Sequence, residues 1–329
     1  MSVKIGFIGC GGIARSHLSR LSKMPEVSLS LFYDINPSIS KEVSKLYGGN
    51  TVESINSFLS SNIDAVYICV PPFAHGFEKK LAEKEIPMFI EKPVSNDIAL
   101  AREILKSIES KDIITSIGYL SRYLKITDEL KDMLKEMGRE FIQGYGHHAT
   151  DMRGYNKSWL FKQNLSGGIL VEFATHILDI VRYLVGDPEE VYAKTSDLSM
   201  KGIPEKEGVL SDASVILGYN KSFFTVLTTW GTQRGLGEYT LTFLLPDKVL
   251  KWDFLKRRLE IIRGDQKDVV SDDTDPMETE DRIFIDAVKR ADPRSIRSTY
   301  KDALLTLKLS LLAYKSSSLK RAVKWTEEP

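Results

Sequence analysis

The chain has 329 residues, 42% of them apolar and 27% charged. At roughly 150 residues per domain this is the balance of two globular domains with sizeable cores, and it excludes a disordered chain. Lys plus Arg and Asp plus Glu are both 45, so the formal charge is zero, which leaves no electrostatic footprint for nucleic acid or an anionic membrane surface.

The first 120 residues alternate short apolar runs with helical patterns. Val3 to Ile8 reads as a strand, Gly12 to Lys23 as a helix, Val27 to Tyr33 as a strand and Pro37 to Tyr47 as a helix. Asp64 to Val70 is a near-continuous apolar strand, Ala74 to Lys84 is helical, Met88 to Ile90 a short strand, Ile98 to Ile108 helical and Ile113 to Ile117 a strand. Strands apolar on both faces that alternate with helices predict a doubly wound parallel sheet. The rhythm changes after Tyr119. A helix over Ile126 to Glu136 precedes a strand around Phe141 to His148, an irregular stretch to Ser166, and a helix from Ile169 to Val185 that stops at Gly186-Asp187-Pro188. Six β-type runs follow: Glu190 to Thr195, Ala213 to Tyr219, Phe223 to Trp230, Tyr239 to Leu245, Val249 to Phe254 and Arg258 to Arg263. Their short turns predict an antiparallel or mixed sheet. Asp272 to Asp275 reads as a solvated acidic loop, and helices return at Glu280 to Arg290 and Tyr300 to Ser316. The fold class is α/β, with a Rossmann-type domain over residues 1–120 and an α+β domain over 121–329.

Gly9-Cys10-Gly11-Gly12-Ile13-Ala14 follows a strand and opens a helix. In that context Gly9 permits the tight turn, Gly11 lets the backbone approach a pyrophosphate, and Ala14 allows close helix–strand packing. Gly12 and Ile13 lie at the helix N-terminus, whose N–H groups face the phosphates. Asp34 closes the second strand about 20 residues further on, where a carboxylate accepts from ribose hydroxyls. An acid there repels a 2′-phosphate, which favours NAD and leaves NADP open. The other reading of Asp34 is a cap or turn residue before Asn36-Pro37.

The stretch from Asp64 through Val70-Pro71-Pro72 to His75 resembles the fourth-strand motif of the glucose–fructose oxidoreductase / inositol dehydrogenase (Gfo/Idh/MocA) family. Glu91-Lys92-Pro93 is similar to that family's E-K-P motif. Gly167-Gly168 through Asp179 is similar to its G-G-x-L-x-D-x-G-x-H-x-x-D segment, with Glu172 and Ala174 standing where Asp and Gly are commonest. The order is kept, and the likeness covers nearly the whole chain. It implies an N-terminal NAD(P)-binding domain and a C-terminal domain with a large, mostly antiparallel open sheet that forms a homodimer or homotetramer interface. It also implies hydride transfer between the nicotinamide and a hydroxyl or carbonyl carbon of a sugar, cyclitol or related polyol. Two alternatives share this fold: an NAD-retaining glycoside-cleaving enzyme and a non-catalytic dinucleotide-binding regulator.

Oxidation of an alcohol needs a proton acceptor and a stabiliser of the developing alkoxide. Lys92 lies past a short strand at the carboxyl edge of the sheet, where such folds bind ligands. Pro93 biases its geometry, and the Lys92–Pro93 bond is a candidate cis bond. Read alone, Lys92 is a surface lysine; the motif assigns it the reacting oxygen. Glu172, His176, Asp179 and Tyr183 recur at helical spacing and form one stripe, opposite Leu170, Phe173, Ile177, Ile180 and Leu184. By periodicity this is a wet helix face; by resemblance Lys92, His176 and Glu172 are catalytic, with His176 as the proton acceptor. Val70, Pro71, His75, Glu91 and Lys92 join the candidate cofactor contacts, His17 and His75 being equally readable as packing or capping residues. Tyr119, Arg122 and Trp159 join Glu172 and His176 as candidate substrate contacts. His147 and His148 alternate on a strand, so they point apart; with His176 they are the one set considered for a metal, and none is required. The two cysteines, Cys10 and Cys69, cannot build a disulfide framework or a cysteine-based zinc site. No apolar run nears the roughly 18 residues of a membrane span, and no secretory signal is visible. Together these features fit a cytoplasmic protein. The whole reading requires Lys92 and His176 to serve one nicotinamide ring.

Overall fold

The computed structural model describes residues 2–138 and 140–329. To Leu120 the order is β1 (Val3–Ile8), α1 (Gly12–Leu21), β2 (Val27–Tyr33), α2 (Pro37–Tyr47), β3 (Asn50–Thr51), α3 (Ile55–Leu59), β4 (Ala65–Ile68), α4 (Phe77–Glu83), β5 (Met88–Ile90), α5 (Ile98–Glu109) and β6 (Thr115–Ile117). Then come α6 (Lys125–Glu136), β7 (Gln143–Ala149), α7 (Gln163–Ser166), α8 (Thr175–Val185), β8 (Glu190–Ser196), β9 (Asp212–Tyr219), β10 (Ser222–Thr229), β11 (Glu238–Leu244), β12 (Val249–Asp253), β13 (Arg258–Arg263) and β14 (Gln266–Ser271). The chain ends with α9 (Pro276–Arg290), α10 (Tyr300–Leu319) and β15 (Val323–Lys324).

Two compact units result. The first runs to Leu120 and takes back Asp275–Leu304; the second is Ser121–Thr274 with Leu305–Pro329. The division near residue 120 matches the change of rhythm in the sequence. The expected continuous domain 121–329 does not, because α9 belongs to the first unit. Packing explains this. Phe7, Tyr67 and Phe89 stack at 4.9 and 4.6 Å between centroids, and Phe284 of α9 meets Tyr67 and Phe89 edge-on at 5.6 and 5.7 Å. Offset and edge-to-face contacts of this kind favour burying α9 here.

The first sheet is wholly parallel, ordered β3-β2-β1-β4-β5-β6. Its order reverses direction between β1 and β4, and doubly wound folds bind ligands beyond the carboxyl ends of the strands at such a point. β4 and β5 are buried throughout, as their unbroken apolar runs predict, and the short β6 is buried although it carries Thr115 and Ser116.

The second unit holds a nine-stranded sheet ordered β14-β13-β12-β11-β7-β10-β9-β8-β15. It is antiparallel except for the parallel pair β7 and β10. Helices α6 and α8 cover one face, joined to the sheet through a single apolar core. On the other face Tyr145, Tyr192, Ile216, Phe223 and Leu227 are exposed. Tyr145, Thr225, Ile216 and Tyr192 stand opposite one another across β7, β10, β9 and β8. β14 escaped the sequence reading because it is a polar, solvent-exposed edge strand without an apolar alternation.

Two further expectations change. The stretch Asp272 to Asp275 is not a simple solvated loop. Asp272 is buried and accepts from the backbone of Ile126 and Thr274, while Asp275 caps α9 and binds Arg20 at 2.8 Å. The helix expected from Ile169 to Val185 is two pieces: a π-helical turn over Ile169–Phe173, closed by Ala174 N–H to Ile169 C=O, and then α8. Gly168, at φ +67°, starts the turn; a Cβ there would lie 2.3 Å from Gln163 Oε1 and 2.7 Å from Tyr314 Oη. The Tyr314 hydroxyl accepts from Leu170 N–H and so supplies a cap that α-helical bonding would not.

Candidate active site

In the first unit, Gly9 takes φ +84° and a Cβ would fall 2.4 Å from the Cys69 carbonyl, so only glycine fits between the ends of β1 and β4. Gly11 is the N-cap of α1, with extended backbone and no side-chain cap. A Cβ on Gly11 or Gly12 would meet nothing within 4 Å, so the helix N-terminus is open to an approaching group. Uncapped N–H groups beside open space are what a diphosphate needs, and Gly9, Gly11, Gly12, Ile13 and Ala14 therefore fit the group. Asp34 stands at the end of β2. One carboxylate oxygen accepts from Cys10 N–H at 2.8 Å and the other from Asn36 N–H at 2.8 Å. The turn reading of Asp34 is thus realised, while the cap of α2 is Asn36. A carboxylate has lone pairs beyond two bonds, which leaves it able to accept a ribose hydroxyl as well.

Val70 and Pro71 follow β4 and are partly exposed. His75 is turned inward. Its Nδ1 is bound to Glu78, whose other oxygen accepts from Gly76 N–H, so the capping reading describes His75. Glu91, a candidate cofactor contact, is buried just past the end of β5, and its carboxylate takes a 2.9 Å bond from His17 Nε2. His17 is fully buried, and its Nδ1 lies 2.7 Å from Asp281 Oδ1, to which Tyr67 Oη also donates at 3.0 Å. Burial alone would push the imidazole down, but the Asp281 and Glu91 carboxylates outweigh it and carry His17 from 6.5 to about 10. The two bonds hold His17 inward, as the packing reading has it. Lys92 follows Glu91, is partly exposed, and its bond to Pro93 is cis. Tyr119 is buried.

In the second unit, Glu172 lies in the π-helical turn and His176 in the first turn of α8, both half-buried. His148, considered beside His176 only for a metal, and Tyr239, which the sequence does not mark, both pack at this site. His148 stacks on Phe173 at 3.7 Å with rings 11° apart and meets His176 edge-on at 5.9 Å. Tyr239 lies 4.3 Å from His148, donates to the His176 carbonyl at 2.9 Å and is within 3.0 Å of Ser121 Oγ. The signal was the register: His148 pairs with Tyr239, while His147 pairs with Thr240 and points outward to Glu238. Arg122, a candidate substrate contact, is paired with Asp179 inside the second unit. Arg122 is 2% exposed and grips Asp179 with Nε at 2.8 Å and Nη2 at 2.6 Å; Thr306 donates to the same carboxylate at 3.0 Å. The stripe that sequence spacing drew as a wet face is thus buried at Asp179. Trp159 is half-buried against the core. Among the described residues no group of three or more His, Cys, Asp or Glu side chains is arranged to hold a metal ion.

A glycine turn at an open helix end, an acid closing the second strand and a β3-β2-β1-β4-β5-β6 sheet define a dinucleotide-binding domain. Residues 3–119 match the family described as "Oxidoreductase family, NAD-binding Rossmann fold", and residues 140–243 match the "GFO/IDH/MocA C-terminal domain". The chain belongs to the Gfo/Idh/MocA oxidoreductases, a family with an NAD-binding Rossmann fold. It is 27% identical over 237 residues to glucose-6-phosphate 3-dehydrogenase of Bacillus subtilis, covering 69% of this chain and 67% of that one. It is 24% identical to myo-inositol 2-dehydrogenase of Thermotoga maritima, covering 99% of both. The structure resembles a levoglucosan dehydrogenase in complex with NADH and levoglucosan, with a TM-score of 0.87 at 18% identity over 99% of this chain and 100% of that one. No described helix is long and apolar enough to cross a membrane.

Proposed function

We propose that the protein is an NAD-dependent dehydrogenase that oxidises a secondary hydroxyl of a sugar, cyclitol or related polyol, or reduces the matching carbonyl. The observation that carries this reading is the group around His176. An imidazole with a carboxylate one turn earlier borders the aromatic cluster of Phe173, His148 and Tyr239. A pyranose or cyclitol ring presents an apolar C–H face and a hydroxyl rim, and aromatic walls beside hydrogen-bonding groups suit both. The relatives that act on sugars and inositols support the same class.

His176 takes the hydroxyl proton as general base. Lys92 donates to the reacting oxygen and stabilises alkoxide charge. Glu172 holds a neighbouring hydroxyl. Bound through the glycine turn and Asp34, NAD supplies the two-electron acceptor. Trp159 and Tyr119 remain candidate substrate contacts. The test is a panel of sugars and polyols with NAD and NADP at matched concentration, following absorbance of the reduced nicotinamide. Net turnover with a polyol supports the reading. Glycoside release without net reduction, or cofactor binding without turnover of any member, would replace it.

We also infer a homodimer or homotetramer formed through the sheet face that exposes Tyr145, Tyr192, Ile216, Phe223 and Leu227, because an apolar patch of this breadth favours a partner surface. Light scattering on wild type and on Leu227→Lys tests it, and a monomeric wild type would end it. Both cysteines are free and buried, which fits residence in a reducing cytoplasm.

A further inference from the structure

His17 lies on α1, and its fully buried ring joins that helix to two distant parts of the first unit. Nε2 is bound to Glu91, and Nδ1 to Asp281, 264 residues away in sequence. Glu91 is held from two further sides. Its backbone N–H donates to the Ile68 carbonyl, and its carboxyl group lies over Gly118, where a Cβ would come within 2.9 Å of Oε1. The side chain of Glu91 is therefore fixed by the imidazole on one side and a bare α-carbon on the other. The next residue is Lys92.

Burying a histidinium with carboxylates costs desolvation that an apolar trio of similar volume would avoid. What ionic bonds give and apolar packing does not is direction: each fixes a donor–acceptor axis. We propose that His17 is a positioning residue that, through Glu91, sets the direction of Lys92, with Asp281 of α9 fixing the imidazole's rotation. This deepens the Lys92 assignment and rests on it.

The two ring nitrogens can be tested apart. An Asn at position 17 places its amide N–H where Nδ1 lies and keeps the Asp281 bond. A Gln reaches where Nε2 lies and keeps the Glu91 bond. His17→Asn is expected to lower kcat about 10- to 100-fold with KM for NAD within about 3-fold, the size of effect expected when a catalytic group is misplaced. His17→Gln is expected to restore at least about 10-fold of that loss, although it gives up the Asp281 bond. Equal losses in both variants, tracking their melting temperatures, would overturn the proposal. A substrate-independent readout is the rate of trace acylation of Lys92 by mass spectrometry, expected to change in His17→Asn, return toward wild type in His17→Gln, and leave other lysines unmoved. An unaltered Lys92 rate in His17→Asn would also overturn it. Should His17→Asn not fold, Glu91→Gln stands in, and wild-type kcat there counts against the proposal. Lys92→Ala is run beside these. A wild-type rate in Lys92→Ala removes the Lys92 assignment itself, whereas a slow Lys92→Ala with a fast His17→Asn removes the positioning role alone.

Discussion

The carboxylate of Asp34 accepts a hydrogen bond from the backbone N–H of Cys10 at 2.8 Å. The acid that ends β2 is therefore also a strut of the glycine turn. Asp34→Ala is expected to weaken NAD binding at least about 10-fold and to lower stability by about 1–3 kcal/mol, since two backbone donors lose their acceptor. Asp34→Asn keeps one carbonyl acceptor and is expected to fall between. Titration of NADH fluorescence with parallel denaturant curves measures both, and wild-type affinity in Asp34→Ala would exclude the ribose role.

Lys92→Ala is expected to reduce turnover by about 100-fold or more while NAD affinity stays near wild type, because an alkoxide stabiliser acts in the transition state. Steady-state kinetics on the polyol found by the substrate panel decide this. A large loss in KM alone would recast Lys92 as a binding residue.

Arg122 offers the opposite case, a charged residue whose loss should be structural. Arg122→Met leaves the Asp179 carboxylate buried without its bidentate partner, and about 3–5 kcal/mol of stability is expected to go. The double variant Arg122→Met with Asp179→Leu is expected to recover much of it. Urea denaturation of the three proteins checks this, and a single variant as stable as wild type would contradict the buried-pair reading.

Both carboxyl oxygens of Glu280 are buried with no hydrogen-bond partner among the described residues. Burial raises this acid well above its ordinary 4.5; His17 pulls it down, while Glu91, Asp281 and Asp275 add to the rise. The folded state keeps a proton that the unfolded chain releases above about 4.5, so stability falls as pH rises from there, by up to about 1.4 kcal/mol per unit. Glu280→Gln cannot ionise in either state. Its stability relative to wild type is expected to improve steadily between about pH 5 and 8. A constant difference across that window would show that Glu280 ionises normally.

His17 has the reverse sign. Its raised value, about 10 against 6.5, gives a contribution fully present below 6.5 and lost as pH climbs through about 10. Nitrogen NMR of the imidazole is expected to show the doubly protonated ring still present at about pH 8, and a neutral pattern there would contradict it.

The parallel sheet was legible because β4 and β5 are buried on both faces and so read as unbroken apolar runs, and β1 is interrupted only by the exposed Lys4. The glycine turn and Asp34 were legible because their job depends on local backbone. What escaped depends on distant partners. Nothing local to Arg122 says that its guanidinium meets Asp179, and nothing local to Glu91 announces a histidine from α1. The stripe Glu172, His176, Asp179 and Tyr183 was drawn with one α-helical period, but the π-helical turn and the buried Asp179 break that geometry. His148 was visible as half of an alternating pair and beside His176 as a metal set, but its contact with Tyr239 required the strand register.

The return of α9 to the first sheet also governs how this molecule can be made. A ribosome that has released only the first 120 residues has exposed strands whose aromatic stack lacks Phe284 and whose histidinium lacks Asp281. The coenzyme domain must therefore wait, incompletely covered, while the whole intervening sheet is synthesised. Its apolar surface during that interval is where a nascent chain of this protein would call on a chaperone.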